Sequence, residues 1–217
     1  MPRAPAAAVK NLNAAADKIK ATFFASFSLT RKIHQKQEGT AMNQHLAAIR
    51  AYHDALSIPQ AEYGLPVEAS DMDIILRQAL LMDGGSETFK AIKSGEMAAI
   101  LAGLTNLAYY ALGAIALSGN DVSDEPVGWR HDGFVLSVMK LLSEEIDRCK
   151  NGDAQNYSAL YCLCSHLTKA FLNADFNGAF QCVHANNMAR LDAIKNADRL
   201  TQLQLPKTPD LSEFMYE

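Results

Sequence analysis

The longest apolar run of the chain, residues 98–117, limits what the sequence can fold into. It approaches the ~18–20 residues that a membrane-spanning helix needs, but Thr105, Asn106 and the pair Tyr109-Tyr110 interrupt it. These residues favour a helix buried in a protein core, and we expect no membrane association. Elsewhere apolar residues recur with helical spacing and strand signals are nearly absent, so the predicted fold class is all-α.

Start and stop signals divide the chain into helices. The predicted helices cover residues 44–55, 71–92, 96–118, 132–149, 155–172 and 176–200. The first ends before Ile58-Pro59, because a residue that precedes proline leaves the right-handed helical region. Asp71 or Asp73 is expected to cap the second. Gly84-Gly85 inside that helix costs ~1 kcal/mol per glycine relative to alanine, which indicates close packing, a kink or a ligand.

The order helix, turn, helix occurs twice. Residues 72–121 contain the turn Lys93-Ser94-Gly95-Glu96, and residues 132–175 contain the turn Lys150-Asn151-Gly152-Asp153. A helical hairpin cannot bury both of its faces alone, so two hairpins predict a four-helix core, and the pattern favours a degenerate tandem duplication. The predicted organisation is a basic N-terminal extension (1–41), an all-α bundle with further N- and C-terminal helices (42–200) and a tail (201–217).

The net charge of −4 is unevenly distributed. Residues 1–41 hold seven basic and two acidic residues, a charge of +5, so the remainder carries −9. An acidic body argues against a nucleic-acid-binding domain, which needs a basic footprint. It suits a protein that gathers divalent cations, although solubility alone explains it equally well.

We expect a cytoplasmic protein. Residues 1–41 also have the composition of a transit peptide for an organellar matrix, although a surface helix or a leader upstream of a start at Met42 is favoured.

The four cysteines all lie in the second half of the chain, at positions 149, 162, 164 and 182. Cys162-Leu163-Cys164 has no accompanying second cysteine pair and no histidine pair with ligand spacing, which argues against a zinc site. Reduced, buried thiols are the favoured interpretation.

A polar cluster lies within the last predicted helix. Residues 182–191 read Cys-Val-His-Ala-Asn-Asn-Met-Ala-Arg-Leu. His184, Asn187 and Arg190 offer hydrogen-bond donors that suit an anion, and the planar fork of arginine suits phosphate in particular. The alternatives are a capping or partly buried role for His184 and a surface charge near a helix end for Arg190.

Three segments resemble, in order, the motifs of one enzyme superfamily. Tyr52–Pro59 is similar to F-H-x-A-F-G-x-P, Leu104–Gly113 to L-A-D-L-x-Y-V-x-L-G, and Val183–Leu191 to V-H-R-S-N-M-S-K-L. These motifs belong to the all-α nucleoside triphosphate pyrophosphohydrolases (MazG-like and phosphoribosyl-ATP pyrophosphohydrolase-like proteins). The resemblance covers about residues 44–192. It implies hydrolysis of a nucleotide to monophosphate and pyrophosphate with Mg²⁺ or Mn²⁺, phosphate contacts from the 182–191 cluster, and a homo-oligomer.

The acidic motifs of that superfamily are incomplete here. The E-E-x-x-E position reads Asp83-Gly84-Gly85-Ser86-Glu87, and the partner [ED]-x-x-D reads Gly103-Leu104-Thr105-Asn106. The second half offers Ser143-Glu144-Glu145-Ile146-Asp147-Arg148 but no acidic partner helix. A composite site is the expectation, with Asp83, Glu87, Asn106, Glu144, Glu145 and Asp147 as metal ligands. The alternative for the second set is a solvated helical face.

These observations leave three functional hypotheses. The first is a metal-dependent nucleotide pyrophosphohydrolase with a remodelled site. The second is a catalytically inactive relative that binds a nucleotide or a partner, favoured by Gly84, Gly103 and Asn106 at ligand positions. The third is a structural helical bundle unrelated to nucleotides.

Overall fold

Six α-helices make up the part of the chain that the computed structural model describes, which is residues 41–130, 132, 134–196 and 207–216. They are α1 (Gln44–Leu56), α2 (Asp71–Ser94), α3 (Met97–Ser118), α4 (Val135–Arg148), α5 (Ala154–Ala170) and α6 (Phe176–Lys195), with short 3₁₀ turns at Cys149–Asn151 and Ser212–Phe214. Within these residues the only β-type pairing is an isolated bridge between Ala174 and Met215. The predicted all-α class is confirmed. The N-terminal extension (residues 1–40), the predicted helix end near Leu200 and residues 201–206 of the tail lie outside the described residues.

Helix α3 lies at the centre of the bundle. It packs against α1, α2, α5 and α6, and it is buried along nearly its whole length. By length and composition it could cross a membrane, but 83% of that stretch is buried inside the protein. Each of its fully buried leucines contributes ~2 kcal/mol relative to an exposed side chain. The predicted buried core helix is therefore confirmed.

Two helical hairpins surround this core helix. Helices α2 and α3 form the first and α4 and α5 the second, and α2 also packs on α4 and α3 on α5. Each hairpin turns at a glycine in the left-handed region, Gly95 (φ 77°) and Gly152 (φ 77°), where a residue without Cβ meets no steric penalty. The two turns are the ones that the sequence predicted, while the duplication itself stays a prediction.

The helix ends differ from the sequence-based expectation at two starts. Ser70, rather than Asp71 or Asp73, caps α2, and Asp73 completes a capping box by accepting from the Ser70 backbone N–H. Helix α4 begins at Val135 rather than Asp132. The Asp132 carboxylate instead accepts hydrogen bonds from the Phe134 N–H and the Ser137 hydroxyl ahead of the first turn.

The loop between α1 and α2 closes over the C-terminal end of α3. Backbone N–H groups of Ala61, Gly64 and Val67 donate to the carbonyls of residues 117, 119 and 118, at 2.9–3.0 Å. The Arg50 guanidinium donates to the Ala116 carbonyl at 3.1 Å and to the Ala61 carbonyl at 2.9 Å. The last carbonyls of a helix have no partner within it, so these contacts supply the missing donors.

Close packing explains the glycine pair inside α2. A Cβ at Gly84 would lie 3.1 Å from Leu107, and a Cβ at Gly85 would lie 2.8 Å from the terminal methyl of Ile146. Gly103 on α3 is tighter, because its Cβ would lie 2.5 Å from the Thr88 hydroxyl and 3.0 Å from the Thr88 Cα. Of the three explanations for the pair, close packing is the one that the structure supports.

The two kinds of crowding predict different responses to alanine. At Gly85 the obstacle is a movable methyl, and alanine gains ~1 kcal/mol of helix propensity. At Gly103 the obstacle includes backbone, so overpacking should cost ~1–3 kcal/mol. Urea unfolding should therefore show Gly103→Ala to be less stable than Gly85→Ala by at least ~1 kcal/mol. Equal stabilities would contradict the proposed close approach of α2 and α3.

His53 is a buried titratable group on α1. It is 4% exposed, and its Nδ1 makes no hydrogen bond. Burial lowers its pKa to about 4, and the nearby charges of Arg77 and Arg50 act in the same direction. The neutral imidazole is therefore the form that the fold accommodates.

This pKa predicts a loss of stability in acid. Between about pH 6.5 and about pH 4 the unfolded chain binds a proton at His53 that the folded chain does not, so the free energy of unfolding falls as the pH falls through that window. Wild type and His53→Gln should be unfolded in urea at pH 7, 6, 5 and 4. The variant should show the shallower pH dependence; parallel curves would exclude His53 as the cause.

Candidate functional site

The donor cluster comprises His184, Asn187 and Arg190 of α6 together with Tyr52 of α1 and Tyr109 of α3. The three α6 residues are spaced three apart, which places them along one side of the helix. All three are half-buried. Helix α6 packs on α1 and α3, so this side of α6 adjoins the two tyrosines.

Tyr109 connects the α6 residues. Its hydroxyl lies 3.2 Å from Nδ1 of His184 and is hydrogen-bonded to Asn187. Burial raises the pKa of Tyr109, and the bond from Asn187 opposes part of that rise. With the Asn187 amide donating to the phenol oxygen, the phenol can donate its own proton to Nδ1 of His184. Nε2 would then carry the imidazole N–H.

His184 is the neutral donor of the cluster. Burial lowers the pKa of His184 below its ordinary value. Near neutral pH it therefore offers an oriented N–H without a full charge. This outcome agrees with the partly buried histidine that the sequence left as an alternative, and it is compatible with contact to an anion.

Tyr52 lies between Tyr109 and Arg190. The rings of Tyr52 and Tyr109 meet edge to face, with centroids 5.7 Å apart. Burial raises the pKa of Tyr52, and the positive charge of Arg190 lowers it. Arg190 is the only member of this cluster that carries a full positive charge.

A second group of predicted residues lies where α2 faces α3. Asp83 and Glu87 are exposed and one turn apart on α2. Glu87 pairs with Lys207 at 3.2 Å. Glu87 and Asn106 line one cavity of about 340 Å³, together with residues 208–211. The structure thus places Glu87 and Asn106 at the same cavity, and their role as metal ligands stays a prediction.

Tyr110 of α3 interacts electrostatically both with the acidic pair Asp83 and Glu87 and with Tyr52 of the donor cluster. Its pKa is raised by burial first and then by the charges of Glu87 and Asp83, while Lys207 opposes the rise. Tyr52 also acts on Tyr110. The donor cluster and the acidic pair therefore flank neighbouring tyrosines of α3. Tyr109 is buried, at 7% exposure, whereas Tyr110 is half-buried.

The second acidic set does not join the first. Glu144 pairs with Lys140 at 3.8 Å, and Asp147 pairs with Lys150 at 2.7 Å. Asp147 lines a groove of about 940 Å³ whose α2 wall contains Met82, Gly85, Ser86 and Phe89 but neither Asp83 nor Glu87. Glu145 is buried and accepts from Arg148 at 2.6 Å.

These contacts bear on the expected metal site. Helix α4 turns Val138, Leu142 and Ile146 towards the core. This orientation of the helix about its own axis determines where its carboxylates lie. Within the described ranges no three His, Cys, Asp or Glu side chains form a group that could hold a metal ion. The predicted composite set therefore forms no such group among these residues, and the expectation of Mg²⁺ or Mn²⁺ stays a prediction.

One polar network was not found from the sequence. Nδ1 of His45 lies 2.9 Å from the Tyr161 hydroxyl, and Nε2 lies 2.9 Å from Oδ1 of Asn177. The His45 ring stacks on Phe180 with centroids 4.2 Å apart, and Phe180 also stacks on Tyr109 at 5.6 Å. The network ties α1 to α5 and α6 beneath the donor cluster. Its only sequence signal is a histidine two residues after the α1 cap Asn43.

Scans of protein-family models, curated proteins and solved structures find no match to this chain. The resemblance to the all-α nucleoside triphosphate pyrophosphohydrolases therefore rests on the three sequence segments alone.

The His45 network predicts a measurable contribution to stability. Tyr161→Phe removes one hydroxyl and leaves a buried imidazole nitrogen without its partner, which costs ~1–3 kcal/mol. Tyr216→Phe, at an exposed tyrosine, is the matched control. Urea unfolding should show the loss for the first variant only. A loss below ~0.5 kcal/mol would mean that the hydroxyl does not hold His45 in place.

Proposed function

We propose that the protein binds a nucleoside triphosphate or a related nucleotide, with its phosphates at the donor cluster. The observation that carries the proposal is the Tyr109 hydrogen-bond network, which orients His184 beside Asn187. A half-buried imidazole and amide held in fixed orientations can bind a ligand, whereas side chains that only face solvent need no fixed orientation. The ordered family-like segments are the sequence support.

The chemistry of the cluster suits an anion with several oxygens. His184 supplies a neutral Nε2–H, Asn187 an amide, and Arg190 a planar charged fork. Hydrogen bonds from a guanidinium to phosphate are charge-assisted and are about twice as strong as neutral ones. Three donors of different charge along one helix face can contact more than one phosphate group.

The acidic pair sets a limit on where the phosphates lie. Asp83 and Glu87 repel an anion, and Lys207 neutralises part of that charge through its pair with Glu87. Polyphosphate should therefore follow α6 rather than α2.

Hydrolysis to monophosphate and pyrophosphate is the second candidate function. The observation that favours it is the shared cavity of Glu87 and Asn106, which lie on facing helices at the positions that the resemblance assigns to metal ligands. A catalytically inactive nucleotide or partner binder is the alternative, favoured by Gly84, Gly103 and Asn106 at the positions that the resemblance assigns to metal ligands.

Nucleotide binding should depend on Arg190 and not on a neighbouring lysine of the same helix. Calorimetric titration with ATP, dCTP and inorganic triphosphate, each with and without Mg²⁺, measures the affinity. Arg190→Gln should weaken binding about tenfold or more, since a charge-assisted bond contributes ~1.5–3 kcal/mol. Lys195→Gln in the last turn of α6 is the control and should leave the affinity unchanged.

The same samples distinguish binding from catalysis. Pyrophosphate release that Glu87→Gln abolishes would support the hydrolase. Binding without release would support the inactive binder. No heat with any nucleotide or triphosphate would contradict both nucleotide proposals and favour a structural bundle.

A further inference from the structure

A separate cavity lies between α4, α5 and the loop that joins α3 to α4. Its volume is about 270 Å³, and it is partly open to solvent. Apolar side chains form most of its wall: Pro126, Val127, Leu141, Ala159 and Leu163. The polar contributions come from Glu125, Glu145 and the indole of Trp129. None of these residues belongs to the donor cluster.

Glu145 is the unusual member of this wall. The residue is 8% exposed, although it carries a carboxylate and lies in the last turn of α4. One oxygen, Oε1, accepts from Arg148 at 2.6 Å, whereas Oε2 is buried and has no hydrogen-bond partner. An unsatisfied buried polar atom costs ~1–3 kcal/mol, and more for a charged group. No hydrogen bond to Oε2 from the described residues offsets this cost.

The lining determines what can satisfy that carboxylate. Glu125 and Glu145 give the cavity negative charge, so an anion is excluded. A bare metal ion needs several oxygen ligands, and no group of three acidic, cysteine or histidine side chains forms in the described part of the chain. A neutral alcohol could donate a hydrogen bond to Oε2, but Arg148 offsets only one of the two carboxylate charges in the wall, and the alcohol would leave the other in place.

We propose that this cavity binds a primary ammonium ion carried on a short aliphatic chain. The ammonium supplies the N–H donors that Oε2 of Glu145 lacks, and its positive charge offsets the second carboxylate of the wall, Glu125. The methylene groups then lie against Val127, Leu141 and Leu163. The indole of Trp129 adds an aromatic surface of the kind that attracts organic cations.

Trp129 provides the readout, because it is the single tryptophan of the chain. The full-length protein is titrated with n-butylammonium chloride, and tryptophan emission is followed. The neutral isostere 1-butanol and the anion butyrate are titrated in parallel at the same ionic strength. Butylammonium should give a saturable change in emission, and the other two should give none in the same concentration range.

Two variants of adjacent residues test the role of the buried carboxylate. Glu145→Gln keeps the shape and an acceptor for Arg148 but removes the charge, and it should weaken butylammonium binding at least tenfold. Glu144→Gln is the control, because Glu144 is exposed and pairs with Lys140 on the same helix. It should bind as the wild type does.

Several outcomes would overturn the proposal. They are no saturable change with butylammonium, an equal response to 1-butanol, or equal loss in both variants. The comparison of the three probes uses wild-type protein, so it decides the question even if Glu145→Gln does not fold. Circular dichroism of each variant establishes whether it does.

Discussion

The burial of α3 is the constraint on which the rest of the structure depends. A 22-residue helix with scarcely any exposed surface must be covered on all sides, and four neighbouring helices do this. Close coverage needs small residues where helices approach, which is why Gly84 and Gly103 lie on the facing sides of α2 and α3. Helix α3 also ends in carbonyls that a buried helix cannot leave unpaired. Arg50 and the following loop satisfy them, so the loop is held by the same requirement.

The donor cluster depends on that core through a stack of three rings. Phe180 is fully buried, and His45 and Tyr109 stack on it from α1 and α3. His45 is fixed by hydrogen bonds at both nitrogens, so the ring beneath the cluster cannot rotate freely. Tyr109 in turn restrains His184 through the contact between its hydroxyl and Nδ1. A polar site at a helix junction is thereby positioned by packing rather than by a loop.

The fold was predictable because its signals are local. Helical spacing, the prolines and the turn glycines each act within a few residues, and they placed all six described helices to within a few residues. The site was only partly predictable. Glu87 and Asn106 line the same cavity because the hairpin turn determines which sides of α2 and α3 pack against each other. The positions of Glu144 and Asp147 depend on how α4 rotates about its own axis, which no spacing within α4 determines. The same reason hides Glu145, whose burial follows from contacts with α5 and a distant loop.

The charges on the two sides of α3 make opposite demands on a ligand. Helix α6 offers donors, whereas α2 offers carboxylates, and Tyr109 and Tyr110 lie between them. A polyphosphate that contacts α6 approaches Asp83 and Glu87, and each further carboxylate on α2 would raise the repulsion unless cations compensate it. Gly84 stands where the resemblance has another acid, and close packing against Leu107 now occupies that position. The packing at position 84 leaves two carboxylates rather than three on this part of α2. An anion bound at α6, as we propose, would therefore meet correspondingly less repulsion.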